Sequence, residues 1–174
     1  MAELPWSSPL VELREAVPAR QVGVRLRPPF PSYLAGLPLP LAPNRVAAMG
    51  STRVLWLGPD EWLVVADGEA ADLPVRLARA VVGRRSAVAD LSSSRAIIEI
   101  GGSAARDLLA AGCGLDLHPR AFGPGQCAQT LFARVPVILD QLDAAPHYRM
   151  LVRRSSARWL CDWLIDAAEG LGER

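Results

Sequence analysis

Alternating hydrophobic and polar residues predict eight β-strands along this chain. In residues 21–27, Val22, Val24 and Leu26 face one side and the arginines between them face the other, which is the two-residue period of a strand. The other seven segments show the same alternation or short runs of β-branched and aromatic residues. These segments are residues 53–57, 62–66, 87–91, 95–100, 126–133, 135–139 and 148–153.

Turn sequences between these segments predict how the strands connect. Gly-Pro-Asp follows residue 57 and predicts a hairpin between strands 53–57 and 62–66. Three serines, Ser92 to Ser94, predict a second hairpin between strands 87–91 and 95–100. Because proline cannot donate to a strand ladder, Pro136 predicts that the start of its strand is an edge or a bend.

Helical spacing of apolar residues predicts three helices between the strands. The first helix begins after Asp72 and ends at Gly83, and the second begins after Ser103. Aspartate and serine are both residue types that cap the start of a helix. The third begins near residue 155 and has one broad apolar face, made by Trp159, Leu160, Trp163, Leu164 and Ala167. This order of elements predicts an α+β fold, with mostly antiparallel sheets and helices packed on one face as a two-layer sandwich.

The segment 28–43 contains six of the 15 prolines together with many apolar side chains. Proline excludes a helix or a central strand here, so the segment is either a loop folded over its own core or an arm on another subunit. On the second interpretation the partner contacts are Phe30, Tyr33, Leu37 and Leu39. We expect residues 1–20 to be an N-terminal arm with little structure, followed by α+β halves at 21–84 and 85–174.

Composition limits the function classes. Hydrophobic residues make up 51% of the chain and charged residues 21%, which excludes disorder of the whole chain and suggests that some apolar surface serves a partner. The net charge of +1 without a basic block argues against a nucleic-acid partner. We expect neither a membrane span nor a signal peptide. Three scattered cysteines favour the reducing cytoplasm.

No group of residues has the spacing of a catalytic, cofactor or metal site. Lysine is absent, which excludes a Schiff base and a P-loop lysine. The serine run has no nucleophile elbow around it, and Gly101-Gly102 is not a dinucleotide fingerprint. Isolated residues of suitable chemistry lack partners at metal-ligand spacing, namely Cys113, Cys127, Cys161, His118 and His147. We therefore predict no catalytic residue, bound cofactor or metal on this chain.

Three long stretches of the chain resemble a known family. They are LGPDEWLVVA at 57–66, the stretch at 87–122 that begins AVADLSSSRAIIEIGG, and residues 127–142 with 148–167. All three are similar to the gamma subunit of heterotetrameric sarcosine oxidase, and the similarity covers nearly all of residues 55–168.

This resemblance implies a non-catalytic structural subunit. The assembly would oxidise sarcosine to glycine with oxygen, giving hydrogen peroxide and formaldehyde or methylene-tetrahydrofolate. Its partners would be the alpha, beta and delta subunits, and FAD, FMN, NAD, zinc and tetrahydrofolate would bind to those other subunits. The alternative is a free-standing module that binds folate or transfers an aminomethyl group.

The gamma subunit is in turn similar to the folate-binding module of the glycine-cleavage aminomethyltransferase. Echoes of that module are Asp90, Leu91, Ser92, Ile98, Ile100, Gly102, Ala105 and Leu108. At residues 136–142 the transferase has Gly-Gly-Ile-x-Asp-Asp-Leu, and Asp140 matches its first acid. Pro136 and Val137 replace the two glycines, which let a backbone approach a ligand closely. We therefore expect no folate site here, and we expect Asp140 to be either a relic of the transferase acid or a structural acid.

Overall fold

A computed structural model describes residues 4–16, 19–68 and 70–172, which form two compact units. The first unit combines the segment ending at Ala16 with the chain from Ser94 onward, and the second is the segment between them, up to Ser93. The elements, in chain order, are β1 (Trp6–Ser7), β2 (Glu12–Glu15), β3 (Ala19–Leu26), β4 (Tyr33–Leu34), β5 (Leu37–Pro38), β6 (Val46–Met49), β7 (Thr52–Gly58), β8 (Glu61–Asp67), α1 (Leu73–Ala80), β9 (Ser86–Asp90), β10 (Arg95–Gly101), α2 (Ala105–Gly112), β11 (Cys127–Phe132), β12 (Val135–Gln141), β13 (Tyr148–Arg153) and α3 (Arg154–Gly172).

The first unit is a six-stranded sheet with α2 and α3 packed on one face. Its strand order is β1-β2-β10-β13-β12-β11, and every neighbouring pair is antiparallel. Alternate residues of the central strands point into the core, where they meet the apolar side of α3. Burial of one leucine side chain in this core stabilises the fold by about 1.5–3 kcal/mol. This core face includes Ile98, Ile100, Tyr148, Met150, Leu160 and Leu164.

The second unit is a five-stranded sheet of order β6-β7-β8-β3-β9 with one short helix, α1, and the β4–β5 ribbon. Its core packs Leu77 of α1 against the apolar face of β3 and β8. Trp62 is fully buried, and its indole N–H donates to the carbonyl oxygen of Pro40 at 2.7 Å. The α+β class with mostly antiparallel sheets is therefore confirmed, and all eight predicted strands and three predicted helices are present.

The predicted N-terminal arm differs from the structure. β2 lies inside the first sheet between β1 and β10, and Leu13 on β2 is buried in the core of that unit. Pairing with a strand more than 80 residues away is invisible to a local pattern, and β2 is only four residues long. Residues 1–3 and 17–18 of the expected arm lie outside the described residues.

The predicted hairpin around Ser92 to Ser94 is wrong, although both of its strands exist. β9 pairs with β3 in the second unit, whereas β10 pairs with β2 and β13 in the first. The three serines are therefore where the chain passes from one unit to the other. Two strands that follow each other in sequence gave no signal that they belong to different sheets.

The proline-rich segment folds over its own unit. Leu37 and Leu39 are buried in the core of the second unit, and the Phe30 ring packs edge-on against Trp62 with centroids 5.3 Å apart. Burial of Leu37 and Leu39 inside their own unit corrects that expectation for these two residues, whereas Phe30 is part-buried and its contact with a partner stays a prediction. Tyr33 is 66% exposed, and its contact with a partner stays a prediction.

The start of β12 is an edge, as Pro136 predicts. The pairing with β13 begins at Val137, so only β11 lies beside Pro136, whereas the rest of β12 is interior between β11 and β13.

Three expectations about the helices need correction. Asp72 makes no side-chain capping bond, and Ala104, not Ser103, occupies the N-cap of α2. Trp159 on α3 is half exposed instead of buried.

Gly102 holds the N-terminal segment against the start of α2. It has a positive φ of 104°, and a Cβ there would overlap the backbone oxygen of Leu10. That same oxygen accepts a hydrogen bond from the Ala104 N–H at 3.0 Å. We expect Gly102→Ala to lower the free energy of unfolding by roughly 2–4 kcal/mol, from backbone strain and steric overlap, as measured by urea denaturation.

Gly170→Ala is the matched control. Gly170 lies in α3 with open space where a Cβ would sit, so alanine should leave stability unchanged or raise it by up to about 1 kcal/mol. Equal stabilities for the two variants would contradict the role given to Gly102.

Candidate functional site

Four charged residues of alternating sign stand side by side across the first sheet. Strand register places Arg14 opposite Glu99, Glu99 opposite Arg149, and Arg149 opposite Asp140. Residues directly opposite each other in antiparallel strands point to the same face, so these four, here called the charge row, lie on the face away from α2 and α3. The row runs across β2, β10, β13 and β12.

Glu99 is the centre of the row. The Arg149 Nε and Nη2 atoms both lie 2.8 Å from Glu99 Oε1, and the Arg14 Nε donates to Oε2 at 2.6 Å. The side chains of Glu99 and Arg149 are less than a tenth exposed, whereas that of Arg14 is mostly in solvent. Each carboxylate oxygen therefore has a guanidinium partner, and the pairing ties three strands together.

The arginines set the protonation of Glu99. Burial alone disfavours the charged form, but the hydrogen bonds and positive charges of Arg149 and Arg14 outweigh it and hold the pKa of Glu99 below its ordinary value. Glu99 is thus ionised at neutral pH, and both of its carboxylate oxygens are bound by arginines.

A surface cavity of about 390 Å³ lies beside the exposed end of the row. The His147 ring stands between two carboxylates there, with Nδ1 3.4 Å from Asp143 and Nε2 3.9 Å from Glu99. Glu12 and the Gly101–Ser103 turn also line the cavity. Three carboxylates and one arginine line it, namely Glu12, Glu99, Asp143 and Arg14.

Asp140, the acid matched to the transferase, is an interior residue of β12. It is 1% exposed and stands opposite Arg149 in register. The sequence placed it just after a strand that ended at residue 139, but β12 continues to Gln141. A carboxylate inside a sheet, in a row of opposite charges, fits the expected structural role; that role stays a prediction.

Within the serine run, Ser92 makes hydrogen bonds to residues of its own unit. Ser92 Oγ donates to Asp90 Oδ1 at 2.5 Å and accepts from the Gln21 N–H at 3.0 Å. The Ser92 side chain, its backbone N–H and the Arg20 charge hold the pKa of Asp90 below its ordinary value. Ser92 therefore anchors the end of β9 against β3, as an Asx-type turn does.

The charge row was missed by sequence reasoning, although a signal existed. Glu99 interrupts the apolar run Ile97-Ile98-Glu99-Ile100, and Arg149 interrupts Tyr148-Arg149-Met150-Leu151. A charged residue inside an apolar strand indicates a buried ion pair, but strand register is needed to find the partner. Within the described residues no three His, Cys, Asp or Glu side chains gather in a way that could hold a metal ion.

Comparison with known proteins identifies the family. The model of the sarcosine oxidase, gamma subunit family matches residues 31–170. This chain belongs to that family. The sarcosine oxidase subunit gamma of Corynebacterium sp. (strain P-1) is 40% identical over 163 residues, which is 90% of this chain and 79% of that relative. Its Arthrobacter counterpart has the same identity and coverage.

Solved structures agree with the family assignment. A chain of the heterotetrameric sarcosine oxidase from Corynebacterium sp. U-96, in complex with pyrrole 2-carboxylate, matches with a TM-score of 0.85 and 36% identity. The match covers 95% of this chain and 87% of that one. Membership of the gamma family therefore identifies an oxidase subunit rather than a free-standing module.

A more distant match shows the fold alone. The glycine cleavage system aminomethyltransferase T from Bartonella henselae has a TM-score of 0.65 at 15% identity, over 90% of this chain and 45% of that one. The resemblance to the aminomethyltransferase fold is thereby confirmed. In the part of the chain that the structure describes, no helix has both the length and the apolarity needed to cross a bilayer.

Removing the charge of Glu99 should strongly destabilise this gamma-family chain. Glu99→Gln removes the carboxylate that both Arg149 and Arg14 contact, and breaking a buried pair in this way costs roughly 3–5 kcal/mol. Because the pKa of Glu99 is lowered by folding, its contribution is present above the unfolded pKa of about 4.3 and is lost as pH falls through the folded value. Urea denaturation from about pH 7 to about pH 3 should show the two proteins converging in acid.

Glu12→Gln tests whether any carboxylate at the cavity has this effect. Glu12 is exposed and lines the same cavity, so its loss should change stability by less than about 0.5 kcal/mol. The free energies of unfolding of Glu99→Gln and the parent should converge in acid. If their difference is unchanged at the lowest pH, the lost charge is not the cause of the destabilisation.

Proposed function

We propose that this chain is the non-catalytic, structural subunit of a heterotetrameric sarcosine oxidase. The observation that carries the proposal is family membership over residues 31–170, together with the use of the charge row inside the fold. Glu99 has the chemistry of an acid or base catalyst, but both of its oxygens accept from arginines that hold strands together. On this proposal the catalytic groups of the oxidase belong to other chains.

The finer assignments follow from the same resemblance. The partners are the alpha, beta and delta subunits, with FAD, FMN and NAD on alpha and beta, zinc on delta, and tetrahydrofolate also away from this chain. The assembly oxidises sarcosine to glycine with oxygen. A cytoplasmic location fits the three cysteines, which are buried and form no disulfide with one another, since an oxidising compartment favours disulfides.

Co-expression tests the role of this chain in assembly. The three other subunits should be produced with and without it, and the complexes compared by mass and by sarcosine turnover. We expect a complete and active complex only when this chain is present. The chain purified alone should show no flavin absorbance and no sarcosine oxidation. A stoichiometric flavin on the isolated chain, or a fully active complex without it, would overturn the proposal.

Asp140→Asn tests whether this subunit carries chemistry. The side chain is buried and the change is nearly isosteric, so the complex should still assemble. We expect turnover within about threefold of the parent, or under about 0.7 kcal/mol on the barrier. Loss of a positioned acid or base would instead cost roughly 10²–10⁴-fold.

Turnover of Asp140→Asn should be measured with and without tetrahydrofolate, because the matched acid of the transferase serves folate chemistry. A hundredfold loss in intact complex, seen only with folate, would assign a folate-dependent step to this chain. A loss of thermal stability at unchanged turnover would agree with the structural role.

A further inference from the structure

The two sheets have the same strand topology. The second unit has the order β6-β7-β8-β3-β9, and the first has β11-β12-β13-β10-β2, with β1 added beyond β2. Every neighbouring pair in both orders is antiparallel. Along the chain, β3, β6, β7, β8 and α1 follow one another as β10, β11, β12, β13 and α3 do, with the β4–β5 ribbon of the first series in the place of α2 in the second. The chain therefore contains two repeats of one arrangement.

Each repeat begins with a strand that pairs in the sheet of the other repeat. β2 precedes β3 in the chain but pairs with β10, and β9 precedes β10 but pairs with β3. The last residue of β2, Glu15, stands opposite the fourth residue of β10, and the last residue of β9, Asp90, stands opposite the fourth residue of β3. One residue later, the N–H groups of Ala16 and Leu91 donate to the carbonyl oxygens of the third residues, at 2.9 and 2.7 Å. The exchange of first strands is thus reciprocal and in matching register.

Local hairpins compete with this exchange. Only residues 16–18 lie between β2 and β3 in the chain, and only residues 91–94 lie between β9 and β10. These are ordinary lengths for a hairpin loop. Closing such a short loop costs less chain entropy than pairing β2 with β10, and a hairpin forms in microseconds. A feature of the strands themselves must therefore favour the exchanged pairing.

The charge row distinguishes the two sheets at matching positions. Leu55 and Leu63, the residues of β7 and β8 at the level of the row, are fully buried. The row is therefore charged in the first sheet and apolar in the second, although the strands are arranged in the same way. Counted along the matched strands, Arg14, Glu99, Arg149 and Asp140 of the first sheet correspond to Ala89, Gly23, Leu63 and Leu55 of the second.

We infer that Arg14 and Glu99 direct the first strand of each repeat into the sheet of the other. With β2 in place, Glu99 Oε2 accepts from the Arg14 Nε at 2.6 Å. With β9 in that place at the same register, Ala89 would stand opposite Glu99 and this oxygen would lose its donor, which is costly for a buried carboxylate. With β2 in the place of β9, Arg14 would stand opposite Gly23 in a row of buried leucines. One charged pair thus disfavours both hairpins, as polar pairs that specify partners do elsewhere.

Moving the arginine from β2 to β9 tests the inference in the full chain. Arg14→Ala with Ala89→Arg, here called the transfer variant, places the guanidinium on the strand that should not pair with β10. Two cysteine pairs report which strand lies beside β10. The exchange pair is Glu12→Cys with Gly101→Cys, because these residues stand opposite each other. The hairpin pair is Ala87→Cys with Gly101→Cys, because Ala87 is the residue of β9 that corresponds to Glu12.

Each pair is introduced separately into the parent and into the transfer variant, and the chains are refolded from urea. Oxidant is added after refolding, when the three native cysteines are buried, and peptide mapping locates the disulfide. The parent should close the exchange pair. The transfer variant should close the hairpin pair at least about fivefold more often than the parent does, which corresponds to roughly 1 kcal/mol of pairing preference. Disulfides are counted in the whole refolding mixture, so aggregation of a variant does not remove the readout.

The two single substitutions are the matched controls. Ala89 is exposed, so Ala89→Arg alone should leave closure of the exchange pair unchanged, because Arg14 still binds Glu99. Arg14→Ala alone removes the contact without offering it to β9, and it should close the hairpin pair less often than the transfer variant. Equal closure of the hairpin pair in these two proteins, or none in the transfer variant, would overturn the inference. This test concerns the fold of the chain and does not depend on its role in an oxidase.

Discussion

The pairing of Glu99 with two arginines is the interaction on which the first unit depends. This unit consists of two chain segments, one ending at Ala16 and the other beginning at Ser94. Glu99 joins Arg14 of the first segment to Arg149 of the second, 85 and 50 residues away along the chain. The long loop closed between Arg14 and Glu99 is entropically unfavourable to form, and the ladder between β2 and β10 offsets part of that cost.

Alternation along β2 explains why charge, and not only apolar burial, holds this strand. Leu13 enters the core while Arg14 points to the opposite face and meets Glu99. A shift of one residue would exchange these two side chains between faces, because strand side chains have a period of two. It would place a guanidinium in the core and leave Glu99 short of a partner. Both penalties favour the observed register over the shifted one.

The local sequence pattern was sufficient to predict an element that has its own periodicity. It was insufficient where pairing with a distant segment determines the structure. β13 lies at 148–153 as predicted, since Tyr148, Met150 and Val152 alternate with residues of the other face. β2 was missed because its pairing with β10, more than 80 residues away, leaves no mark on neighbouring positions. The separation of β9 from β10 was missed because the partner of β9 is β3, at least 60 residues away. For the same reason Asp140 was placed after the end of a strand instead of inside one, and the row that contains it was not found at all.

Shared fold and separate function are compatible here because sheet geometry and surface chemistry are set by different residues. The aminomethyltransferase from Bartonella henselae has the same fold at 15% identity, and a fold alone does not determine function. In this chain Pro136 and Val137 stand where the transferase has two glycines. Asp140, which matches the transferase acid, is buried within β12. The buried charges Glu99 and Arg149 join neighbouring strands of the first sheet, so in this chain they stabilise the shared fold itself.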